Sequence, residues 1–497
     1  MREGRVFADA ALEHSDTETC PGHVTMVTGR HPGPAGVPSN EFVERDTGRS
    51  VYCVEDDAPD AVVLGGGGTE PGQGRSPRKI RVSALGDWLK ASQPGARVFS
   101  VSGKDRAAIT LGGQHPGAAY WFDRGPAQGF TTSRYYRSEL PDWVRAFNRP
   151  ADGVPGFLAR VPERWEHATG APANGARQDD YPAESPQFGR TSGHPLRSPD
   201  VRLFLERLSY TPFLDEITLD FARALVRSER VGSGPGVDLL LISLSATDLV
   251  GHLYGPGSQE ARDALLRIDA AVGDFLTFLD AQVGKGSTLV VLTADHGVLE
   301  LPEWLVEIGA SECPLPNGRG NSHALVEGLA ATLHSALDPK GSPVAPWVVA
   351  SGYSLTVNRR LAEERHVPIP RVADIAKRWL GAQPGIVRVW TQEEIEEGKG
   401  PAPFATLYRN SFDPERSGDL TLQPAPTCLF SPYPTGTSHG TPYLYDRAVP
   451  LIFFGPGVSP GVVRGRAATV DIAPTLARVL GLEPPSELDG HALTLEP

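Results

Sequence analysis

The segment from Thr19 to His23 holds the residues whose types and spacing are best suited to chemistry. Pro21 favours the first turn of a helix and Gly29 favours its end, so a helix is predicted over residues 21–28 with Thr19 at its mouth. A hydroxyl in that place faces unpaired N–H groups and the positive helix end, which stabilise an anion and favour the alkoxide. Thr19 is therefore a candidate nucleophile, and the alternative is that it only caps the helix.

Three other polar groups adjoin apolar, β-rich runs. Asp248 and His252 follow one run and share a face if the chain continues as a helix. Asp295 and His296 directly follow a second run, and His439 lies on a loop before a third. Because ligands of open α/β sheets collect beyond the carboxyl ends of strands, we expect the first two groups at such an edge.

These two aspartates and three histidines are the oxygen and nitrogen ligands that zinc accepts. A paired zinc site would bridge a phosphate and activate the threonine hydroxyl. Taken singly, each residue has an ordinary alternative as a turn cap, a hydrogen-bonded core histidine or a surface residue. Their joint occurrence at strand exits, beside a threonine at a helix mouth, favours metal ligation.

Hydrophobic patterning predicts the elements that must position these residues. Short apolar runs predict buried strands, and apolar residues that recur with a period of 3.6 residues predict surface helices. The runs expected to form strands are 97–101, 237–244, 287–293 and 449–454, and those expected to form helices are 262–282 and 470–480, the last ended by Gly481.

The four cysteines are expected neither to bind metal nor to form a disulfide framework. Cys20, Cys53, Cys313 and Cys428 are widely scattered and show no C-x-x-C spacing. Cys20 is predicted to be a small packing residue behind the nucleophile.

The composition is that of a large enzyme, and although 497 residues could form more than one domain, we expect a single catalytic domain over residues 1–497. Its possible ligands are spread from residue 19 to residue 439, so one core must collect them. The formal net charge of -13 argues against nucleic-acid partners. The sequence contains no run of about eighteen apolar residues, so no membrane span is predicted. Cap insertions are expected at about 54–210 and 342–426.

Six sequence blocks, in order, give the chain a resemblance to the alkaline phosphatase superfamily, and within it to the phosphate-irrepressible alkaline phosphatases related to type I phosphodiesterase/nucleotide pyrophosphatases. The resemblance implies an α/β fold, a three-layer sandwich with a mostly parallel central sheet and helices on both faces. The blocks are Thr19–His23 with Thr28-Gly29, Ser39–Phe42, Val101–Ala107, Thr247–His252, Thr293–Gly297 and Thr437–Gly440.

Carried over by position, the resemblance implies a phosphate monoester hydrolase that acts on small-molecule phosphate esters, holds two Zn²⁺ per chain and forms a phosphothreonine at Thr19. It also implies export to the periplasm or beyond. One zinc would be held by Asp248, His252 and His439, and the other by Thr19, Asp295 and His296. The phosphate would be contacted by Asn40, Lys104 and Arg106.

Charge favours a monoester as substrate, because a monoester dianion carries more negative charge than a diester and Lys104 and Arg106 supply two cations. Their ordinary alternative is a solvated charge pair around Asp105, and Asn40 has the alternative of a turn residue. A phosphodiesterase or nucleotide pyrophosphatase remains an alternative function, since the same core and metals serve both reactions.

One family element is expected to be missing. The family opens with a strand that ends in an aspartate, and this aspartate ligates the metal of the nucleophile. Only eighteen residues precede Thr19, and neither Asp9 nor Asp16 follows an apolar run. We therefore expect this chain to lack that strand and ligand, which leaves a non-catalytic phosphate binder as a further alternative.

Overall fold

Two four-stranded sheets contain the strands on which the predicted site residues depend. The computed structural model describes residues 3–66, 72–149, 156–157, 161–168, 175–341 and 346–496. The strands are β1 (Arg5–Ala11), β2 (Glu41–Val43), β3 (Ser50–Tyr52), β4 (Val98–Ser102), β5 (Ala118–Asp123), β6 (Gly129–Thr131), β7 (Arg164–Trp165), β8 (His194–Pro195), β9 (Leu239–Ser243), β10 (Val290–Leu292), β11 (Arg319–Asn321), β12 (Val348–Ser351), β13 (Ser354–Val357), β14 (Ile386–Thr391), β15 (Leu420–Pro424), β16 (Leu429–Ser431), β17 (Ile452–Phe454) and β18 (Gly461–Ala468).

Helices connect and cover these strands. No helix among the described residues is both long enough and apolar enough to cross a bilayer. The helices are α1 (Thr19–Thr28), α2 (Pro32–Ala35), α3 (Leu85–Ser92), α4 (Asp105–Gly112), α5 (Asp142–Asn148), α6 (Val201–Ser209), α7 (Phe213–Ser228), α8 (Ala246–Tyr254), α9 (Gln259–Val283), α10 (Pro302–Glu307), α11 (Ser322–Leu337), α12 (Arg359–Glu364), α13 (Ile369–Gly381), α14 (Gln392–Glu396), α15 (Phe404–Ser411), α16 (Leu444–Arg447) and α17 (Ile472–Leu480), with a 3₁₀ turn at Thr469–Asp471.

The first sheet has the order β6-β5-β4-β9. β4 is parallel to both β5 and β9, and this register sets Ser102 opposite Ser243 at the carboxyl ends of the two strands. All five residues of β4 are buried, as expected for a strand covered on both faces. The chain therefore leaves β4 and β9 side by side, towards Lys104 and Asp248.

The second sheet has the order β10-β17-β1-β18. β1 runs parallel to β18 and antiparallel to β17, which in turn pairs antiparallel with β10. Phe7 of β1 meets Phe453 of β17 edge to face, with ring centroids 5.9 Å apart. This sheet places the end of β10, and with it Asp295, near the chain that leads from β1 into α1.

The α/β class is confirmed, but the strands form two four-stranded sheets where one central sheet was expected. β9 and β10 each lie at the end of their sheet, and only three strand pairs in the two sheets are parallel. Both strands are apolar yet only half-buried. The division arises because no described strand pairs with the outer edge of either β9 or β10.

A third sheet, β12-β13-β15-β14, packs with α11 and α13 around its own apolar cluster, which includes Leu329, Val372 and Leu420. Its strands fall within the expected insertion 342–426. The expected insertion 54–210 contains β4, β5 and β6, so the first sheet runs through the middle of it. Part of that stretch, such as residues 67–71 and 169–174, lies outside the described residues.

The individual elements follow the sequence predictions closely. The four expected strands are present as β4, β9, β10 and β17, each within a few residues of its predicted bounds. The predicted helices correspond to α9 and α17, and Gly481 ends α17 with a left-handed φ of 64°. α1 begins two residues earlier than expected, at Thr19.

The expectation that the four cysteines form no disulfide framework is wrong. Cys20 is joined to Cys53 and Cys313 to Cys428 by disulfide bonds. The partners are 33 and 115 residues apart along the chain, so local spacing carried no sign of either pairing. Cys20 is buried next to the nucleophile candidate, as predicted, but it is covalently tied to the segment after β3.

Candidate active site

Thr19 is the first residue of α1, and its side chain does not cap the helix. Glu18 takes the cap position without a capping hydrogen bond. Thr19 is 1% exposed, and its Oγ1 has no hydrogen-bond partner among the described residues. A buried hydroxyl without a partner is costly unless it serves a ligand. The capping alternative is therefore not what this structure shows.

His23, one turn further along α1, connects the helix to the ends of two strands. Its Nδ1 lies 2.8 Å from the Thr19 carbonyl oxygen and 3.3 Å from Asp295 Oδ2, and its Nε2 lies 2.9 Å from Ser243 Oγ at the end of β9. Gly22 allows this close approach, since an added Cβ would overlap the Asp295 carbonyl. Sequence reasoning gave His23 no role, because its partners are distant along the chain.

Asp248 and His252 lie on one face of α8, as their spacing predicted. His252 Nε2 is 3.5 Å and His439 Nε2 is 3.6 Å from the same oxygen, Asp248 Oδ1. The amino end of α8 is held by Asp215 of α7, a fully buried carboxylate that accepts hydrogen bonds from the backbone N–H groups of Ala246 and Thr247. Thus Asp215 is a positioning residue that the sequence did not reveal.

All three histidines are oriented by backbone carbonyl groups. The Nδ1 atoms of His252, His296 and His439 lie 2.9, 2.9 and 2.7 Å from the carbonyl oxygens of Thr437, Gly297 and Thr17 respectively. An Nδ1–H that donates to a carbonyl fixes the tautomer in which Nε2 carries a free lone pair. This is the usual outer-sphere arrangement of metal-binding histidines.

Asp295 and His296 extend the same cluster. His296 Nε2 lies 3.4 Å from Asp295 Oδ2, is buried and has no hydrogen-bond partner among the described residues. The rings of His296 and His439 stack with centroids 3.6 Å apart. Ligand atoms of Asp248, His296 and His439 all lie within 4.8 Å of one another. The two ligand sets expected from the sequence are therefore neighbours, because His296 of one set lies close to Asp248 and His439 of the other.

The electrostatics of the cluster favour the protonation states that bind metals. Burial opposes ionisation of Asp248, but Lys104 and the neighbouring histidines hold its pKa well below the usual value. The pKa of Asp295 is likewise lowered, against the effect of burial, by His296 and His23. Burial, with a smaller contribution from His296, lowers the pKa of His439 well below its usual value. Carboxylates and neutral imidazoles are what a divalent cation requires.

Lys104 and Arg106 do not form a solvated pair around Asp105. The Lys104 ammonium contacts Asp248 Oδ2. Asp105 is instead engaged by Arg75 Nε at 2.6 Å and by the Tyr52 hydroxyl at 2.7 Å. Lys104 therefore faces the metal-ligand cluster.

Arg106 retains donor capacity although it is buried. Its Nη1 donates a 3.4 Å hydrogen bond to the Tyr52 hydroxyl, and its Nε has no partner among the described residues. The interaction with Tyr52 and Asp105 outweighs burial and keeps Arg106 protonated, with a pKa above its usual value. Tyr52 and Asp105 thereby position Arg106, a role that the sequence did not reveal.

Asn40 is bound to the beginning of α1. Its Oδ1 accepts a 2.8 Å hydrogen bond from the Cys20 N–H, and its own N–H donates to Glu18 Oε2 at 2.7 Å. Its carbonyl oxygen accepts from the N–H of Cys53, the disulfide partner of Cys20. These contacts place Asn40 at the start of α1, beside Thr19.

Comparison with known proteins defines the family. Residues 1–442 match the type I phosphodiesterase/nucleotide pyrophosphatase family, and the chain belongs to that family. It is 30% identical to alkaline phosphatase PafA of Elizabethkingia meningoseptica, over 99% of this chain and 88% of the relative. It is also 30% identical to a Myroides odoratus protein named a calcium-transporting ATPase, over 98% of this chain and 87% of the relative.

Solved structures agree with the sequence comparison. The crystal structure of wild-type PafA superposes with a TM-score of 0.89 at 28% identity, covering 99% of this chain and 92% of the phosphatase. A PafA variant substituted at a threonine, an asparagine, a lysine and an arginine superposes equally well, with a TM-score of 0.89. The predicted alkaline phosphatase superfamily and its α/β fold are thereby confirmed, and the chain is a phosphoric ester hydrolase by family.

Proposed function

We propose that this chain hydrolyses phosphate monoesters at a two-zinc centre, with Thr19 as the nucleophile. The observation that carries the proposal is the buried Thr19 Oγ1 at the start of α1, which has no hydrogen-bond partner among the described residues. The adjoining chain contacts the ligand cluster, since His23 lies against Asp295 and the Thr17 carbonyl against His439. The relatives named alkaline phosphatases support the monoester as substrate.

The residues present fit zinc. Ligand atoms about 2.0–2.1 Å from a tetrahedral zinc lie roughly 3.3 Å from each other. The separations of 3.5 and 3.6 Å from Asp248 Oδ1 to the His252 and His439 nitrogens come close to this value. The 3.4 Å between Asp295 Oδ2 and His296 Nε2 does so for the second set, to which Thr19 would add a third ligand. Bound zinc would lower the pKa of hydroxyl groups and neutralise developing negative charge.

In the first step, Thr19 Oγ would attack phosphorus, forming the Oγ–P bond as the bond from phosphorus to the ester oxygen breaks. The alcohol leaves with a proton, and the threonine proton is released to solvent. The N–H groups of the first turn of α1 stabilise negative charge on Thr19 Oγ and on the incoming phosphoryl group. A water molecule then attacks phosphorus, breaks the Oγ–P bond and regenerates the threonine hydroxyl.

Asn40, Lys104 and Arg106 would hold the phosphoryl oxygens. A guanidinium fork can donate to two oxygens and an ammonium supplies a compact charge, so both gain strength as charge develops. The substituted PafA variant carries its changes at the same four residue types as Thr19, Asn40, Lys104 and Arg106. In both chains the asparagine follows the threonine at the same distance, and the arginine lies two residues after the lysine.

The decisive experiment compares zinc-loaded wild-type protein with Thr19→Ala and Thr19→Ser in p-nitrophenyl phosphate hydrolysis. We expect Thr19→Ala to lower kcat at least about 10³-fold at unchanged zinc content, and Thr19→Ser to retain measurable turnover. Acid quenching of the wild type should trap one phosphoryl group on the peptide that contains Thr19. Wild-type protein that binds two zinc ions and phosphate but shows no turnover would identify a non-catalytic phosphate binder and refute the proposal.

We also propose that the protein acts in the periplasm or outside the cell. The two disulfide bonds support this location, because disulfides persist in oxidising compartments and are rare in the cytosol. Cell fractionation of the source organism tests it, since the phosphatase should be recovered outside the cytosolic fraction. Recovery from the cytosol with all four cysteines reduced would contradict this location.

A further inference from the structure

A second group of potential metal ligands is formed by His167, His194 and Glu260. None of the three belongs to the active site described above. They come from separate parts of the chain, since His167 follows β7, His194 lies in β8 and Glu260 lies in the first turn of α9. We propose that these residues bind one structural zinc ion, distinct from the two of the active site.

The distances within the group suit a tetrahedral ion. Glu260 Oε1 is 3.1 Å from His194 Nε2 and 3.6 Å from His167 Nε2. These values lie on either side of the roughly 3.3 Å expected between two ligands of a tetrahedral zinc. One ligand atom from each of the three residues can be chosen so that all lie within 4.8 Å of one another. Two imidazoles and a carboxylate form a familiar zinc ligand set.

Burial and unsatisfied polar atoms point to a cation in this place. Glu260 is 0% exposed and His194 is 2% exposed. Their facing atoms, Glu260 Oε1 and His194 Nε2, lie 3.1 Å apart. Glu260 Oε2 and His167 Nε2 are also buried and have no hydrogen-bond partner among the described residues. A buried carboxylate without full compensation is costly, and a zinc ion would supply both the charge and the missing partners.

The surroundings hold the two histidines in place for this role. His194 Nδ1 lies 3.3 Å from the Phe188 carbonyl oxygen, which leaves Nε2 directed at Glu260. Trp165 packs against both histidine rings, with centroids 5.1 and 5.8 Å away. Its Nε1 donates to Asp263 of α9 at 2.7 Å, and the Ala168 N–H donates to the same carboxylate. The ion would therefore fasten the β7–β8 segment to the start of α9.

Metal analysis of variants tests this site without relying on activity. Wild-type protein should hold one more zinc per chain than either His167→Gln or Glu260→Gln, as measured by mass spectrometry of metals after gel filtration. His115→Gln is the control, because His115 is an exposed histidine outside the cluster. In the variant Asp248→Ala/His439→Ala/Asp295→Ala/His296→Ala, which lacks ligands of both active-site sets, added Co²⁺ should still produce the visible bands of a tetrahedral site. Glu260→Gln in that background should abolish them.

Equal zinc content in folded wild type and His167→Gln, or no cobalt bands in the folded Asp248→Ala/His439→Ala/Asp295→Ala/His296→Ala background, would overturn the proposal. His167 is the less buried of the two histidines, so its variant tests the idea even if Glu260→Gln fails to fold. Zinc is counted directly, and the cobalt spectrum is recorded after both sets of active-site ligands have been removed. The result therefore does not depend on whether Thr19 is the nucleophile.

Discussion

At the scale of single residues, the candidate active site is marked by polar atoms that are buried without a partner. Thr19 Oγ1, Arg106 Nε and His296 Nε2 share this property among the described residues. Such atoms also occur elsewhere among the described residues, so burial alone does not mark a site. These three indicate a place for a ligand because His296 also lies in a cluster of carboxylates and oriented histidines, with Thr19 and Arg106 on adjoining segments. An anion would satisfy the arginine, and a metal ion the histidine and the hydroxyl.

Arg106→Ala should impair monoester hydrolysis far more than diester hydrolysis. A monoester dianion presents one more negative oxygen than a diester, and the guanidinium is the group best shaped to bind two oxygens at once. We expect kcat/KM for p-nitrophenyl phosphate to fall about 10²-fold or more, and that for bis-p-nitrophenyl phosphate to change much less. Arg124→Ala, at an exposed arginine, is the matched control. Equal losses for both substrates would favour the phosphodiesterase alternative.

Whether the role of a residue could be predicted from the sequence depends on how far along the chain its contacts lie. Thr19, Asp248 and His252 were identifiable because helix and strand periodicity places them locally. His23 and Thr17 were not, because their roles lie in contacts with Asp295 and His439, hundreds of residues away. Thr17 contributes through its backbone carbonyl, which orients His439. Every residue has such a carbonyl, so the residue type does not indicate this role.

At the scale of elements, the approach of α1 to the loop after β10 decides whether Thr19 and Asp295 can act together. Gly22→Ala should displace the two segments, because the added Cβ would overlap the backbone carbonyl of Asp295. Backbone cannot yield as a flexible side chain does, so activity should fall at least about 10-fold. Gly273→Ala in α9 is the control, since nothing lies within 4 Å of its added Cβ. Unchanged kcat and zinc content in Gly22→Ala would show that this approach is not required.

Asp471, in the 3₁₀ turn before α17, should make the free energy of unfolding depend on pH. Burial raises the pKa of Asp471 above its ordinary 3.8, against hydrogen bonds from the His491 and Ala468 N–H groups. Glu13 also raises this pKa and the His491 ring lowers it. Above pH 3.8 the folded state therefore keeps a proton that the unfolded chain has lost, and the free energy of unfolding decreases as pH rises towards the folded pKa.

Asp471→Asn should remove this component. Its free energy of unfolding, measured by urea titration from pH 4 upwards, should decrease less steeply with pH than that of the wild type, by at most about 1.4 kcal/mol per pH unit. Asp142→Asn, at a fully exposed side chain, should keep the wild-type slope. A steeper decrease in Asp471→Asn than in the wild type would give the opposite sign and refute the argument.

Strand and helix positions were predictable, whereas the assembly of strands into sheets was not. The apolar runs that became β4, β9 and β10 have clear local limits. Which strands become neighbours depends on pairings between distant segments, such as β1 with β18. Local patterns in a single sequence do not encode such pairings. The single central sheet was expected from the family resemblance, and the structure has two sheets in its place.

At the scale of the whole molecule, the candidate site joins residues from Thr17 to His439, and covalent cross-links stabilise this long-range assembly. The family and its α/β class were predictable because six motif blocks occur in order, and the comparisons confirm both. The cross-links were not, because cysteines 33 and 115 residues apart find each other only in the folded chain.

The two disulfides should contribute similarly to stability but differently to activity. By loop-closure entropy, removing Cys20–Cys53 as a double alanine variant should cost about 4 kcal/mol, and removing Cys313–Cys428 about 5 kcal/mol. Cys20 adjoins Thr19 and donates to Asn40, so only the first variant should also lose kcat under conditions where both variants remain folded. Urea unfolding and p-nitrophenyl phosphate hydrolysis measure the two effects. Since each variant is the other's control, equal losses of kcat would show that the first disulfide acts on global stability alone, without positioning the nucleophile.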